Sequence, residues 1–404
     1  MDALLLLIAL TAIFGVVVMP MLRRRRERAE FERAAGTAGS ADGRPWGADG
    51  VSGHGEPALG SPNAPGAHAA TGLVPVEQLD VRLPGPDPEL VAALEEAQHT
   101  QRWRPVGQLL ALTTGDSELR WQRVQSLAGA AAMELGAWRA SGAPLDTPDS
   151  ADDGAGPLHK GTPRRDAGWL RRWRAEEPND PGGAQVYAQF LVWQAMADPS
   201  SADHRIVLEE ARTVCGEAAQ LAPDDPVPYI TELFIARGLS YRAPDFQALW
   251  DKITQRDATH MGAHLAALPY WSEKWHGSRA EADTFAQQAA ANAPAGSLLP
   301  ALPLFAVYEH LPEVTLSPSM YQGAVVSDAI EAAHFALSQA RPGHPVEPHV
   351  RHLLLCFLVR AERYAEAAEQ VRAIDGYVGA VPWVDRENPV SEYAAYRAMA
   401  IAGQ

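Results

Sequence analysis

The run Tyr270-Trp271-Ser272-Glu273-Lys274-Trp275-His276-Gly277-Ser278 is the densest cluster of recognition-type side chains in the chain. It sets three flat aromatic rings, a cation and an imidazole beside a Gly-Ser pair. Aromatics next to a cation suit a protein- or peptide-binding hot spot better than bond-making chemistry. Trp271 and Trp275 stand four apart, so on a helix they would form one aromatic ledge, with Lys274 and His276 as polar contacts. Asp245, Trp250 and Tyr308 are weaker candidate neighbours on the same surface. The competing reading is structural. Both tryptophans would then pack between helical pairs, Gly277 would end one helix, and Ser278 would cap the next with Glu281 in a capping box.

Histidines offer a second kind of chemistry. His260 and His264 lie at i, i+4, and His349 and His352 at i, i+3, spacings that place both imidazoles of a pair on one helix face. Neither pair carries the acid of a His-Glu-x-x-His hydrolase motif, and no third ligand is close in sequence. Chance pairing among 13 histidines is the simpler expectation, so no metal and no cofactor is assigned. A metal-assisted hydrolase using His260, His264 and a distant acid is the alternative function. The chain lacks a Gly-x-Ser-x-Gly elbow, a phosphate-binding Gly-x-x-x-x-Gly-Lys loop and a Gly-x-Gly-x-x-Gly fingerprint, and no catalytic residue is named. Acids such as Glu176-Glu177 and Glu209-Glu210 read as solvated helix faces. Arg164-Arg165 and Arg171-Arg172-Arg174, interleaved with Trp169 and Trp173, form one basic-aromatic patch. It would either meet anionic lipid head groups or be an outer helix face paired with neighbouring acids.

These residues need a scaffold, and composition limits its kind. The chain has 404 residues, 47% hydrophobic and 21% charged, with a formal net charge of −16. That length can bury a sizeable core. Residues 1–33 hold six arginines against four acids, so the acidity belongs to the remainder. An acidic body argues against nucleic acid as partner, since phosphate contacts need a basic face. The two cysteines, Cys215 and Cys356, lie in apolar helical patterns; two thiols cannot form a disulfide framework and fit a reducing compartment.

Residues 3–22 are apolar apart from Thr11, Gly15 and Pro20, and five arginines between Arg23 and Arg28 follow at once. About 20 helical residues span roughly 30 Å, the thickness of a hydrocarbon core. Arginine is retained on the cytoplasmic side, so the expectation is a single-pass cell-membrane protein with its carboxy-terminal domain in the cytoplasm. A cleaved signal peptide would want its positive charge ahead of the apolar run. Residues 23–33 are then a basic juxtamembrane segment. Residues 34–85, rich in Gly, Ala, Pro, Ser and Asp, read as a disordered linker with too little apolar surface to offset ordering entropy.

The body, residues 86–404, reads as all-α. Asp87-Pro88-Glu89 offers a cap, a first-turn proline and an early acid, followed by Leu90, Ala93, Leu94 and Ala97 at helical spacing. Further helices are expected at 105–113 and 116–141, with a mobile insertion at 142–162. Pro178-Asn179-Asp180-Pro181 returns as Pro223-Asp224-Asp225-Pro226, each ending one helix and starting another. Asp257 is expected to open a further helix, and Ala293-Pro294 to punctuate again.

The junction Leu221-Ala222-Pro223-Asp224-Asp225-Pro226 resembles the repeat junction of tetratricopeptide proteins, as does the unit from Leu353 through Ala368. The resemblance spans about residues 165–375 and implies an α-solenoid of helical pairs, whose concave face presents an extended binding groove. Separately, Lys274-Trp275-His276-Gly277-Ser278, with Asp283, Phe285 and Ala286, resembles a bacterial family of unknown function with a Lys/Arg-Trp-Gly-Gly-Ser core. His276 stands where that family has its first glycine. The combined expectation is a membrane-tethered helical-repeat adaptor for a protein or peptide, with a purely structural spacer as the remaining possibility.

Overall fold

Capping side chains set where several helices begin. Asp87, Asp180, His260, Ser278 and Asn388 each accept a hydrogen bond from an amide in the first turn of the helix that follows. The structure is a computed structural model describing residues 72–140, 166–311 and 317–404. Its helices are α1 (Pro88–Thr100), α2 (Arg104–Ala111), α3 (Ser117–Ala140), α4 (Gly168–Glu176), α5 (Pro181–Ala197), α6 (His204–Leu221), α7 (Val227–Gly238) and α8 (Ala243–Thr254). Beyond them lie α9 (Met261–Ala267), α10 (Arg279–Ala291), α11 (Leu302–Glu309), α12 (Pro318–Tyr321), α13 (Ala324–Gln339), α14 (Glu347–Arg360), α15 (Tyr364–Ile374) and α16 (Pro389–Ala402). The described residues are all-α. Their one piece of extended pairing is an isolated parallel bridge between Asp80 and Tyr377.

Both repeat junctions behave as their sequences require. Asp180 caps α5 with Pro181 in its first turn, and Asp225 accepts from the Val227 amide at 2.9 Å where α7 begins. The helix expected from Asp257 starts later, at Met261. Asp257 instead closes a local turn, accepting from the amide and hydroxyl of Thr259, and His260 takes over as cap. The expected anchor at 3–22, the basic segment at 23–33 and the whole insertion at 142–162 lie outside the described residues. Among the described residues no helix is long and apolar enough to cross a membrane.

The folded body begins earlier than expected. Residues 72–85, expected as the end of the linker, are laid along the carboxy-terminal helices. Leu79 and Leu83 are buried. The Val378 amide donates to the Asp80 carbonyl and the Asp80 amide to the Gly376 carbonyl, both at 2.8 Å, and the Gly379 amide donates to the Leu83 carbonyl at 2.9 Å. The Val74 amide donates to Asp375, whose other carboxylate oxygen holds Arg397 at 2.9 Å. Unlike the Gly-, Ala- and Ser-rich stretch before it, 72–85 carries six Leu or Val residues, all packed in or against the core, and its backbone groups are satisfied on a preformed helical surface.

Tryptophans and glycines bring neighbouring helices close. Trp173 on α4 is fully buried, donates its indole N–H to Asp180 at 2.9 Å, and lies against Gly183 of α5. Trp121 of α3 presses on Gly262 at the start of α9 in the same way. A Trp side chain buries about 150–250 Å², worth roughly 4–6 kcal/mol of apolar transfer. These contacts therefore dominate the helix spacing around them.

Candidate binding surface around residues 270–278

Residues 268–271 form a single 3-10 turn that follows α9 directly, and residues 272–277 are turn rather than helix. The ledge expected from Trp271 and Trp275 on one helix face therefore does not form. The turn is closed by its own backbone: the Trp275 and Gly277 amides donate to Ser272 O at 3.1 and 3.2 Å, and the His276 amide to Tyr270 O at 3.3 Å. Ser272 is buried and donates its hydroxyl to Pro269 O at 2.8 Å. A Cβ at Gly277 would overlap the Trp271 carbonyl, so the turn can close this tightly only on a glycine. Ser278 then caps α10, accepting from the Glu281 amide at 3.2 Å. Its hydroxyl also meets the Glu281 carboxylate at 2.9 Å.

The segment divides into a packed half and an accessible half. Tyr270 is buried, its ring stacked on Phe246 of α8 with centroids 3.6 Å apart. His276 lies over the same tyrosine at 5.0 Å, and the Tyr270 hydroxyl donates to Tyr241 O at 3.0 Å. Burial, with the nearby Asp245 carboxylate, raises the Tyr270 pKa. Trp271 is edge-on to Phe246 and stacked on Phe285 of α10. Trp250 meets both Phe285 and the buried His264. Tyr270, Trp271 and Trp250 are thus parts of one aromatic joint between α8, α9 and α10.

Lys274, Trp275 and His276 stand on the outer side of this joint. Lys274 reaches the largely buried Glu309 of α11 at 3.3 Å. The Trp275 ring lies 5.9 Å from the guanidinium of Arg237, which also sits 5.0 Å from Phe234. Arg237 is buried, and that burial pushes its pKa down to about 10 against the opposing pull of Glu309. His276 is exposed. Asp245 is also exposed but is paired with Arg242 at 3.0 Å. Tyr308 is not part of the same rim. Its hydroxyl donates to Asp385, and burial followed by that carboxylate drives its pKa far up. Arg237, Phe246 and Glu309 complete the site and were not anticipated. The one available signal was Arg237, a lone cation in the apolar run Leu233-Phe234-Ile235-Ala236.

Three of the four histidines in these pairs, His260, His264 and His352, are engaged internally. His260 accepts from the Ala263 amide at 3.0 Å through Nδ1, which also lies 3.2 Å from Glu118 Oε2. His264 directs Nδ1 at His260 O at 3.0 Å, and burial pushes its pKa down to about 4. Glu118 accepts from the Met261 and Gly262 amides, and its burial raises its pKa. His352 donates through Nε2 to Pro84 O at 2.9 Å and accepts from the Trp383 indole at 3.0 Å through Nδ1. Among the described residues no group of three or more His, Cys, Asp or Glu is arranged to hold a metal ion. In the basic-aromatic patch, Arg171 pairs with Asp166 at 2.6 Å and Arg174 with Glu217 at 2.9 Å, as an outer helix face would. Arg172 pairs with no described residue.

Comparison with protein-family models, curated proteins and solved structures found no match for this chain.

Proposed function

We propose that this protein is a membrane-tethered, tetratricopeptide-like helical-repeat adaptor that captures a protein or peptide partner at the 272–277 turn. The observation carrying the reading is that turn itself: Lys274, Trp275 and His276 are presented on a base made rigid by the Tyr270–Phe246 stack. Recognition surfaces favour a large ring and a cation that need little ordering on binding. The solenoid reading is supported by the succession of helices in which sequence neighbours such as α5 and α6, α14 and α15, and α15 and α16 pack on one another. Tethering rests on the apolar run at 3–22 and the arginines after it, with the body on the cytoplasmic side.

The test compares the full chain with a Trp275→Ala, Lys274→Ala double variant in capture from detergent-solubilised source cells. The captured partner is then purified and titrated directly. The reading expects one partner whose affinity falls by about tenfold or more in a variant that stays folded, its stability lowered by about 1–2 kcal/mol through the lost Trp275 and Lys274 contacts. Equal affinity for both forms would remove this surface from the function.

A further inference from the structure

The sequence Gln101-Arg102-Trp103-Arg104 forms the link between α1 and α2, and α4 lies across it. Between them is a cleft of about 380 Å³ lined by Gln101, Arg102, Trp103, Arg104, Arg172 and Glu176. Its floor is rigid. Trp103 is stacked on the buried Trp173, with centroids 5.5 Å apart and planes 7° from parallel, and its indole N–H donates to Glu176 at 2.7 Å. Gln101 holds a left-handed backbone, φ 54°, and is only 8% exposed. Its amide nitrogen donates to Gln98 O at 2.9 Å, while its buried Oε1 has no hydrogen-bond partner.

The charges around this floor are unbalanced. Arg102, Arg104 and Arg172 are exposed, and none of their guanidiniums forms an ion pair or hydrogen bond with a described residue. Elsewhere the arginines of α4 find acids, so this is a local departure. Glu176 is the single carboxylate among the lining residues, and Trp103 already orients it. Asp166 lies near Arg172 behind Gly168, but its carboxylate is committed to Arg171 and the Gly168 amide. Three cations face one anion across a cleft of small-molecule size.

We propose that this cleft binds a phosphate ester of a small polyol. Guanidinium forks match phosphate oxygens in geometry and charge, and three of them suit a group that carries its charge on several oxygens. The volume exceeds what a bare phosphate fills, so the remainder of the ligand also sits inside. The acceptor awaiting it there is the free side of the exposed Glu176 carboxylate. Hydroxyl groups beside the phosphate donate to that carboxylate, and the Trp103 ring gives the carbon skeleton an apolar wall. The same chemistry occurs in a free phosphorylated polyol and in a glycerol-bearing phospholipid head group.

Calorimetric titration of the full chain in neutral detergent tests this with inorganic phosphate, glycerol, glycerol 3-phosphate and dihexanoyl phosphatidylglycerol. Saturable binding of glycerol 3-phosphate is expected, about tenfold or more tighter than inorganic phosphate, with no binding of glycerol. An Arg102→Gln, Arg172→Gln variant should lose about tenfold or more while melting like wild type, because both side chains are exposed and unpaired. Binding of the lipid alone, lost in the arginine variant, would assign the head group as the source. Failure of both esters at millimolar concentration, or binding that the arginine variant leaves unchanged, overturns the proposal.

Discussion

Asp87 caps α1 and grips Arg123 at the same time. One carboxylate oxygen accepts from the Leu90 amide at 3.0 Å, and the two oxygens together hold the Arg123 guanidinium at 2.8 and 2.9 Å. Both side chains are about 95% buried, so a signal that looks local in sequence is also a tie between α1 and α3. Arg123→Ala should cost about 3–5 kcal/mol, because it leaves a buried carboxylate uncompensated. Urea unfolding measures this, and a change below about 1 kcal/mol would mean that solvent reaches the pair.

The amino-terminal strap gives a second prediction. A chain starting at residue 86 should be less stable than one starting at 72. It exposes the surface covered by Leu79 and Leu83, each worth about 1.5–3 kcal/mol, and leaves the His352 and Val378 donors without their carbonyl partners. Thermal melts of the two chains decide it, and equal midpoints would show that the strap adds nothing.

Acid should destabilise the fold before its carboxylates protonate. Free histidine titrates near about 6.5, whereas burial pushes His264 and His344 down to about 4 and His352 to about 3. At His352 the cause is visible: a proton on Nδ1 would face the Trp383 indole N–H. The folded state thus binds fewer protons than the unfolded one. Stability from these groups is complete above the unfolded pKa and is lost as pH falls from about 6.5 towards 4, by about 1–2 kcal/mol each near pH 5. A melting temperature that stays constant from about pH 7.5 to 5 would contradict this.

The two halves of the 270–278 segment should separate on mutation. Phe246→Ala removes the ring that stacks on Tyr270 and should cost about 3–5 kcal/mol, while Trp275→Ala should cost about 1 kcal/mol. Guanidinium chloride midpoints test both. A Trp275 loss as large as the Phe246 loss would make Trp275 part of the core.

Gly277→Ala is a sharper probe of the turn. Its Cβ would press on the Trp271 carbonyl, so the turn must open, at a cost of about 1–3 kcal/mol. Partner affinity should fall here although Trp275 and Lys274 are both kept, whereas the Trp275→Ala, Lys274→Ala pair loses affinity by removing the contacting side chains themselves. Calorimetry and melting of both variants make the comparison.

Much of the helical layout was legible in the chain. Asp87 and Ser278 were readable as caps, Asp180 and Asp225 as junctions, and Ser117–Ala140 fell within two residues of its expected limits. These features depend on contacts between residues at most four apart, which sequence displays directly. The site was legible only in part. The residues of the 270–278 run are neighbours in space as in sequence, but their division into packed and presented halves was not visible.

What the sequence determined by itself was the helical class, the junctions and the position of the aromatic cluster. Tertiary structure decided three further things: that Phe246 and Phe285 take Tyr270 and Trp271 into a joint, that 72–85 folds back onto the carboxy-terminal helices, and that Arg102, Arg104 and Arg172 gather around a single carboxylate, Glu176. The physical reason is range. Caps and periodicity are fixed within a turn of helix, whereas burial, ring stacking and charge balance depend on which distant surface arrives opposite.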